Sequence, residues 1–452
     1  MLVEKRRKQV YPVRMEHIHF IGIGGIGVSA LARYYLSIGA AVSGSDLSAS
    51  EITRALAEKG ATILIGNHSA LNIPRDTTRV IHTAAAPKTN PELKEAKRRK
   101  LQTQTYAEAV GDLTRQYRTI TISGSHGKST TTAMTSLVME AGYLDPTVII
   151  GTKMKEFGDA NFRSGKGSHL VLEADEWNKS FLHYSPHIAI VTNIDAEHLD
   201  TYKTVEAVER VFSEYLTRVP HDGKIIANAD DPRLADVAKK FGAKVAWYSL
   251  QDREAQRVKP LLKVPGMHNL SNALAALTAG RHVGVSEPDI LRALSQFRGT
   301  WRRFEMKGLY RGAHLVGDYG HHPTEIMATL AATREHFPMR RIWCVFQPHQ
   351  YQRLKYLWKD FLSAFDMADR VVLLPVYDVA GRETAAAKKA VNSLKLAEGL
   401  QERGKDAWHS ASFPEAKQFL DDGLRRGDVL LVMGAGDIYD LTTELAQRTI
   451  EA

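Results

Sequence analysis

Short apolar runs alternate with longer stretches of helical periodicity along most of the chain, and three of those runs end in turns built from glycine or from Asp and His. His17 to Ile21 predicts a strand leading into GIGGIG, followed by a helix over Ile26 to Leu36 and a strand over Ala41 to Ser43. Thr119 to Ile122 predicts a second such strand, leading into SGSHGKSTTT, and Ala313 to Val316 a third, leading into GDYGHHPTE. Strands alternating with helices in this way define an α/β class with largely parallel sheets. Three openings predict three domains: Rossmann-like over 1–114, a central phosphate-loop domain over 115–298, and Rossmann-like again over 299–452. The first boundary falls where the helical stretch Tyr106 to Val110 gives way to the second opening strand. The second falls at FRGTWRRF, after a helix around Pro288 to Ser295, and hinges are expected near 112–117 and 297–304.

Composition narrows the class without naming a function. The 452 residues, 44% hydrophobic and 25% charged, are those of an ordinary globular protein, and no run of about 18 apolar residues offers a membrane span. Lys and Arg exceed Asp and Glu by 60 to 51, a surplus that favours anionic ligands without requiring nucleic acid. The one cysteine, Cys344, cannot form an intrachain disulfide and lies in the apolar run Ile342 to Phe346, which predicts a buried strand. The first ten residues, MLVEKRRKQV, are basic but precede no apolar core or cleavage site, so a solvated terminus and a cytoplasmic location are expected, with no membrane or nucleic-acid partner. The expected assembly is a monomer or a weak homodimer.

The first glycine turn fits G-x-G-x-x-G at Gly22, Gly24 and Gly27, with Asp46 about 20 residues on at the end of a strand. Backbone amides there can approach a pyrophosphate resting on a helix N-terminus, which taken alone predicts an NAD-type oxidoreductase, or else a turn needed only for packing. The second turn, Gly124-Ser125-His126-Gly127-Lys128-Ser129-Thr130-Thr131, has the strand, glycine loop, Lys-Ser and helix order of a phosphate-binding loop, shortened because Ile122 stands where a glycine is usual. Its amides would hold phosphates, Lys128 would neutralise a transferred group and Ser129 would reach Mg²⁺. Downstream, one apolar strand ends in Glu173-Ala174-Asp175-Glu176 and another, over His187 to Thr192, in Asn193 followed by Asp195, Glu197 and His198. Carboxylates at strand ends beside a phosphate loop are where a parallel sheet collects metal ligands, and magnesium is the implied ion.

Taken together, the loop Gly124 to Thr130, the E-x-D-E stretch at Glu173, the stretch Asn193 to Asp200, GMHNLSNA at Gly266 to Ala273, Arg302-Arg303-Phe304 and Asp318 to Pro323 resemble the Mur ligase family of ATP-dependent amide-forming enzymes in peptidoglycan precursor synthesis. GIGGIGVSA, VSGSDL, YGHHPTE and FQPHQYQR are similar to the members that join L-alanine to UDP-N-acetylmuramate. The resemblance implies that Gly22, Gly24, Gly25, Ile26, Gly27 and Asp46 hold the UDP part of a sugar nucleotide, not NAD. It implies that Gly124, Ser125, His126, Gly127, Lys128, Ser129 and Thr130 hold the phosphates of ATP, with His268, Asn269 and Asn272 beside the adenine. Ser129, Glu173 and His198 become the Mg²⁺ shell, and Lys128, Glu173, His198, Arg303, Asp318 and His321 the catalytic set. Tyr319, His349 and Arg353 receive the amino acid. His322 is either part of that face or a helix-entry residue before Pro323. Three departures stand out: Gln350 where the family usually has arginine, a short segment from Pro232 to Gly266, and Gly317-Asp318 where a pair of aspartates is usual. The open alternatives are a tripeptide-recycling ligase of the same family, the oxidoreductase, and a nucleotide-binding protein without turnover.

Overall fold

A computed structural model describes residues 16–378 and 383–447, so the basic first ten residues lie outside the described part. By the density of its contacts the chain forms two compact units. One runs to Thr119 and takes in Asp145–Leu172 and Ser180–Ser185; the other comprises Ile120–Leu144, Glu173–Lys179 and the chain from Pro186 onward.

The first unit is organised by a parallel sheet of β1 (His17–Ile21), β2 (Ala41–Asp46), β3 (Thr62–Ile65), β4 (Arg79–His82) and β5 (Gln102–Thr105), in the order β3-β2-β1-β4-β5. Ile18, Phe20 and Ile21 of β1 are wholly buried, as a strand in the middle of a parallel sheet requires. The helix Ile26–Ser37 follows the glycine turn directly. Residues 145–172 join this unit through long-range contacts that local pattern does not reveal. Asn161 Nδ2 donates to Ser29 Oγ at 2.9 Å, Lys153 Nζ to Glu51 Oε2 at 2.6 Å, and the Tyr34 and Phe162 rings meet edge-on at 6.3 Å.

One face of β1 and β2 is polar. His17 and His19, two residues apart and so on one side of the strand, both reach Ser43 Oγ on β2, at 3.0 and 2.9 Å. His19 and Ser45 of this face meet Glu92 of the helix Pro91–Arg98, whose side chain is fully buried. Its Oε1 receives Asn72 Nδ2 and meets His68 Nδ1, both at 2.8 Å; its Oε2 receives Ser45 Oγ at 2.7 Å and meets His19 Nε2 at 3.0 Å. Burial alone would raise the Glu92 pKa, but these four partners carry it down to about 2.

The second unit contains the opening strand β6 (Arg118–Ser123) from Ile120 on, and the chain then returns to the first unit for β7 (Thr147–Met154), β8 (Ala160–Arg163) and most of β9 (His169–Glu173). β7 pairs antiparallel with β8 and parallel with β9. In the second unit β6, β10 (Ile188–Val191), β11 (Lys224–Asn228) and β12 (Val245–Tyr248) pair in parallel in that order. A six-stranded sheet completes it: β13 (Glu305–Tyr310), β14 (Ala313–Asp318), β15 (Ile342–Phe346), β16 (Arg370–Leu373), β17 (Ala407–His409) and β18 (Val429–Met433), in the order β13-β14-β18-β15-β16-β17. Only the β13–β14 pair is antiparallel there. All five residues of β15 are buried, Cys344 among them, as the apolar run predicts. β9, β10 and β14 end in Glu173, in Val191 before Asn193, and in Asp318, so the candidate site residues project from the carboxyl ends of strands.

Candidate active site

The phosphate loop joins β6 to the helix Lys128–Ala141. Gly124 and Gly127 hold φ at +128° and +83°, and a Cβ would fall 2.1 Å from Thr192 Oγ1 on the first and 2.5 Å from Asn272 Oδ1 on the second. Both positions therefore demand glycine. The helix has no side-chain cap, which leaves first-turn amides for an anion. Asn193 fastens the loop from both sides of one residue, accepting from His126 N–H at 2.9 Å and donating to His126 O at 3.0 Å. Lys128 Nζ folds back to Gly124 O at 2.7 Å and to Glu176 at 3.0 and 3.2 Å. Burial opposes its charge, but Glu176, with Asp175 and Glu173 behind it, holds the ammonium above its usual pKa.

Ser129 Oγ donates to Glu173 Oε1 at 2.9 Å. A hydroxyl and a carboxylate that converge at the mouth of a phosphate loop form a hard oxygen donor set, which fits Mg²⁺. His198 belongs to a neighbouring group: its Nε2 lies 3.7 Å from Glu176 Oε1 and 4.0 Å from Asp175 Oδ1. It also holds a left-handed backbone, φ +55°, a strain that recurs at functional positions.

A cavity of about 1450 Å³, counting its open mouth, collects the residues expected around a nucleotide. His126, Gly127, Ser129 and Asn193 line it from the loop side, His268, Asn269 and Asn272 from the helix Met267–His282, and Arg303, Asp318 and Glu325 from the terminal segment. Burial, assisted by Arg303, pushes the His268 pKa down to about 4, so it is neutral at pH 7. Asn272 Oδ1 accepts from Thr131 Oγ1 at 3.1 Å, tying that helix to the loop's own.

Asp318 acts on the backbone. Its Oδ2 accepts from Phe304 N–H at 2.8 Å and its Oδ1 from Gly320 N–H at 2.7 Å. These bonds secure the turn that presents Arg303, whose neighbours Arg302 and Phe304 both have positive φ, +62° and +45°. Arg303 Nη1 donates to Glu325 Oε1 at 3.3 Å. Tyr319 lies under Arg302 and Arg303, 4.9 and 5.0 Å from the two guanidinium carbons. His321 is pushed down to about 4, first by burial; its Nδ1 contacts Tyr319 O at 3.2 Å. His322 proves to be the helix-entry residue: it caps Pro323–His336, with Thr324 N–H donating to its Nδ1 at 3.3 Å and its own N–H donating to Glu325 at 3.2 Å.

The expected amino-acid residues cluster beyond this point. His349 stacks on Tyr377 at 5.5 Å and meets His321 edge-on at 5.6 Å. Arg353 donates to His349 O at 3.2 Å and to Glu197 Oε2 at 3.1 Å, in a pair that is almost entirely buried. Gln350 is buried with φ +74°.

In the first unit, Gly22 to Gly27 opens the helix Ile26–Ser37, whose start likewise lacks a side-chain cap. Asp46 closes over the turn: Gly24 N–H donates to its Oδ2 at 2.8 Å and Ser48 N–H to its Oδ1 at 3.3 Å.

Glu325 was not singled out by the sequence, though its signal was there: a glutamate three residues after a capping position, with proline between, is a capping box. Asp195 and Glu197 were visible only as carboxylates near a strand end. Asp195 accepts from Thr324 Oγ1 at 2.7 Å and contacts His126 Nε2 at 3.0 Å.

Three family models match in chain order: "Mur ligase family, catalytic domain" over 17–118, "Mur ligase middle domain" over 122–280 and "Mur ligase, glutamate ligase domain" over 302–436. Proteins named UDP-N-acetylmuramate--L-alanine ligase are similar over nearly the full length. The one from Acetivibrio thermocellus is 38% identical, covering 95% of each chain, and the one from Desulforapulum autotrophicum 39%, covering 95% of this chain and 98% of its own. The crystal structure of UDP-N-acetylmuramate-alanine ligase from Thermotoga maritima superposes with a TM-score of 0.80 at 29% identity, covering 96% of this chain and 99% of that one. A murein peptide ligase from Psychrobacter arcticus, at 21% identity and a TM-score of 0.68 over 96% and 98% of the two chains, shares the fold.

Proposed function

The chain belongs to the Mur ligase family, with that family's three-domain α/β architecture, and from this we propose that it joins L-alanine to the lactyl carboxylate of UDP-N-acetylmuramate at the expense of ATP. The observation that carries the reading is the single cavity shared by the phosphate loop, the His268–Asn272 helix start and the Arg303–Glu325 rim. We assign residues 1–114 to the sugar nucleotide through the Gly22–Gly27 turn and Asp46, 115–298 to ATP, and 299–452 to the amino acid. The relatives support this over the tripeptide-recycling alternative, and an oxidoreductase would leave the phosphate loop without a role. Among the described residues no helix is long and apolar enough to cross a membrane.

A carboxylate is a poor acyl donor because its oxygen leaves badly and its charge repels nucleophiles. In the proposed reaction its oxygen attacks the γ-phosphorus in line, the bond to the bridging β–γ oxygen breaks, and ADP and an acyl phosphate result. Lys128 exchanges Glu176 for the transferred phosphate, and the loop amides stabilise its equatorial oxygens. Mg²⁺ held by Ser129 and Glu173 would supply further neutralisation of phosphate charge. The alanine amine then attacks the acyl carbon and phosphate departs. Arg303 is suited to the charge that gathers on the tetrahedral oxygen. His321 is neutral at pH 7 and uses Nδ1 toward Tyr319 O, which leaves Nε2 as our candidate acceptor for the amine proton. Arg353 is our candidate for the alanine carboxylate, in exchange for Glu197.

Phosphate release measured with UDP-N-acetylmuramate against a panel of amino acids and the tripeptide tests the assignment. Release with L-alanine in preference to all others is expected; no release with any pair would overturn it.

A further inference from the structure

His126 occupies the variable position of the phosphate loop, yet its own amide cannot serve a phosphate while it donates to Asn193. Its side chain points out of the loop toward the terminal segment. Nε2 lies 3.0 Å from Asp195 Oδ2 and Nδ1 3.5 Å from Glu325 Oε1, while the ring packs at 4.8 Å on that of His322. The oxygen of Glu325 that faces His126 is the one that receives Arg303 Nη1, and its other oxygen receives the amides of His321 and His322 at 2.9 and 3.2 Å. A single carboxylate thus joins a phosphate-loop side chain to the arginine and histidine assigned to the amide-forming step.

We propose that His126 is a positioning residue which, through Glu325, conveys the state of the phosphate loop to Arg303 and His321. The inference rests on the ligase reading given above. His126 lines the nucleotide cavity, but its imidazole is turned to Asp195 and Glu325, and its role is to set where Glu325 holds the other two groups. The surrounding charges suit a persistent cation: Asp195 and Glu197 from the segment after β10 and Glu325 from the terminal helix outweigh His322 and Arg303. Although burial works against it, the pairing with Asp195 and Glu325 lifts the imidazole pKa to about 10. A displacement of about 1 Å at a reacting group costs up to about a hundredfold in rate, so a link of this kind is expected to act on turnover more than on nucleotide affinity.

The test uses the full chain with His126→Gln, Glu325→Gln and the double variant. Glutamine at 325 retains an acceptor oxygen for the helix cap, so that variant stands in should His126→Gln fail to fold. Each single change is expected to lower kcat by about 10- to 100-fold with KM for ATP within about threefold, and the double variant to be no slower than the slower single. A rise in KM for ATP that matches the loss of kcat, or losses that multiply in the double variant, would overturn the proposal. Hydrogen exchange separates this from the choice of substrates: in the wild type a non-hydrolysable ATP analogue should protect the amides of residues 302–304 and of His321, His322, Thr324 and Glu325. In either single variant the analogue should still bind but no longer protect them. Unchanged protection refutes the link even if the ligase assay succeeds, and lost protection upholds it even if that assay fails.

Discussion

Glu92, wholly buried, and Glu325, largely so, are both glutamates ringed by histidines, but they are held in opposite ways. Glu92 receives four partners at 2.7–3.0 Å, all from its own unit, and lies behind β1 and β2, where packing supports it. Glu325 lines the large cavity and has longer contacts, several at 3.2–3.5 Å, to a loop histidine, a junction arginine and two amides of its own helix start. The first arrangement saturates its acceptor and has one geometry. The second divides its acceptor among groups that have other tasks, so that moving one alters the others. The same residue types thus make an anchor in one place and a coupling in the other, and contact length and the other tasks of the partners distinguish the two.

The contrast can be broken most forcefully at the loop. Lys128→Ala should lower phosphate release by about a thousandfold or more while the far-ultraviolet circular dichroism of the chain persists, which would place the chemistry in the second unit. Next in size, Glu92→Ala should cost about 3–5 kcal/mol in denaturant unfolding, because it strands buried His19 and Ser45, yet leave kcat of the folded fraction within about twofold. A comparable loss of kcat would erase the distinction between anchor and coupling. Acid and base should then act on different regions. Glu92 is depressed from 4.5 to about 2, so its contribution is whole above pH 4.5 and disappears as pH falls through about 2. His126 is raised from 6.5 to about 10, so its contribution is whole below pH 6.5 and disappears as pH rises through about 10. Hydrogen exchange followed across pH should show acid loosening around 92 and alkaline loosening around 126 and 325. The smallest effect is expected of Gln350→Gly, which relieves a positive φ and should stabilise by about 0.5–1 kcal/mol, read as a modest rise in Tm.

Much of this was legible in the chain because local physics dictates it. β1 and β15 begin and end where their apolar runs do, and the helices at Ile26 and Pro323 start where glycine or proline obliges them to. The phosphate loop was readable because its glycines, lysine and serine must stand in fixed register. Partner choice was not readable. Nothing near His198 indicates that its ring turns to Asp175 and Glu176 in place of Glu173, and nothing near Asn161 indicates that residues 145–172 gather with the first unit. Likewise Asp318 is visible as a carboxylate at a strand end, but its hold on the Phe304 amide fourteen residues upstream depends on a turn that only the folded chain defines.

The sole thiol of the chain lies in the middle of β15, flanked by β18 and β16, and burial pushes its pKa upward. It should therefore ignore alkylating reagents for as long as that sheet is intact, and its slow modification would time the rare openings of the sheet. A cysteine engineered onto the surface would in turn be the one quickly labelled position, so fluorophores could be attached singly without first removing a native side chain.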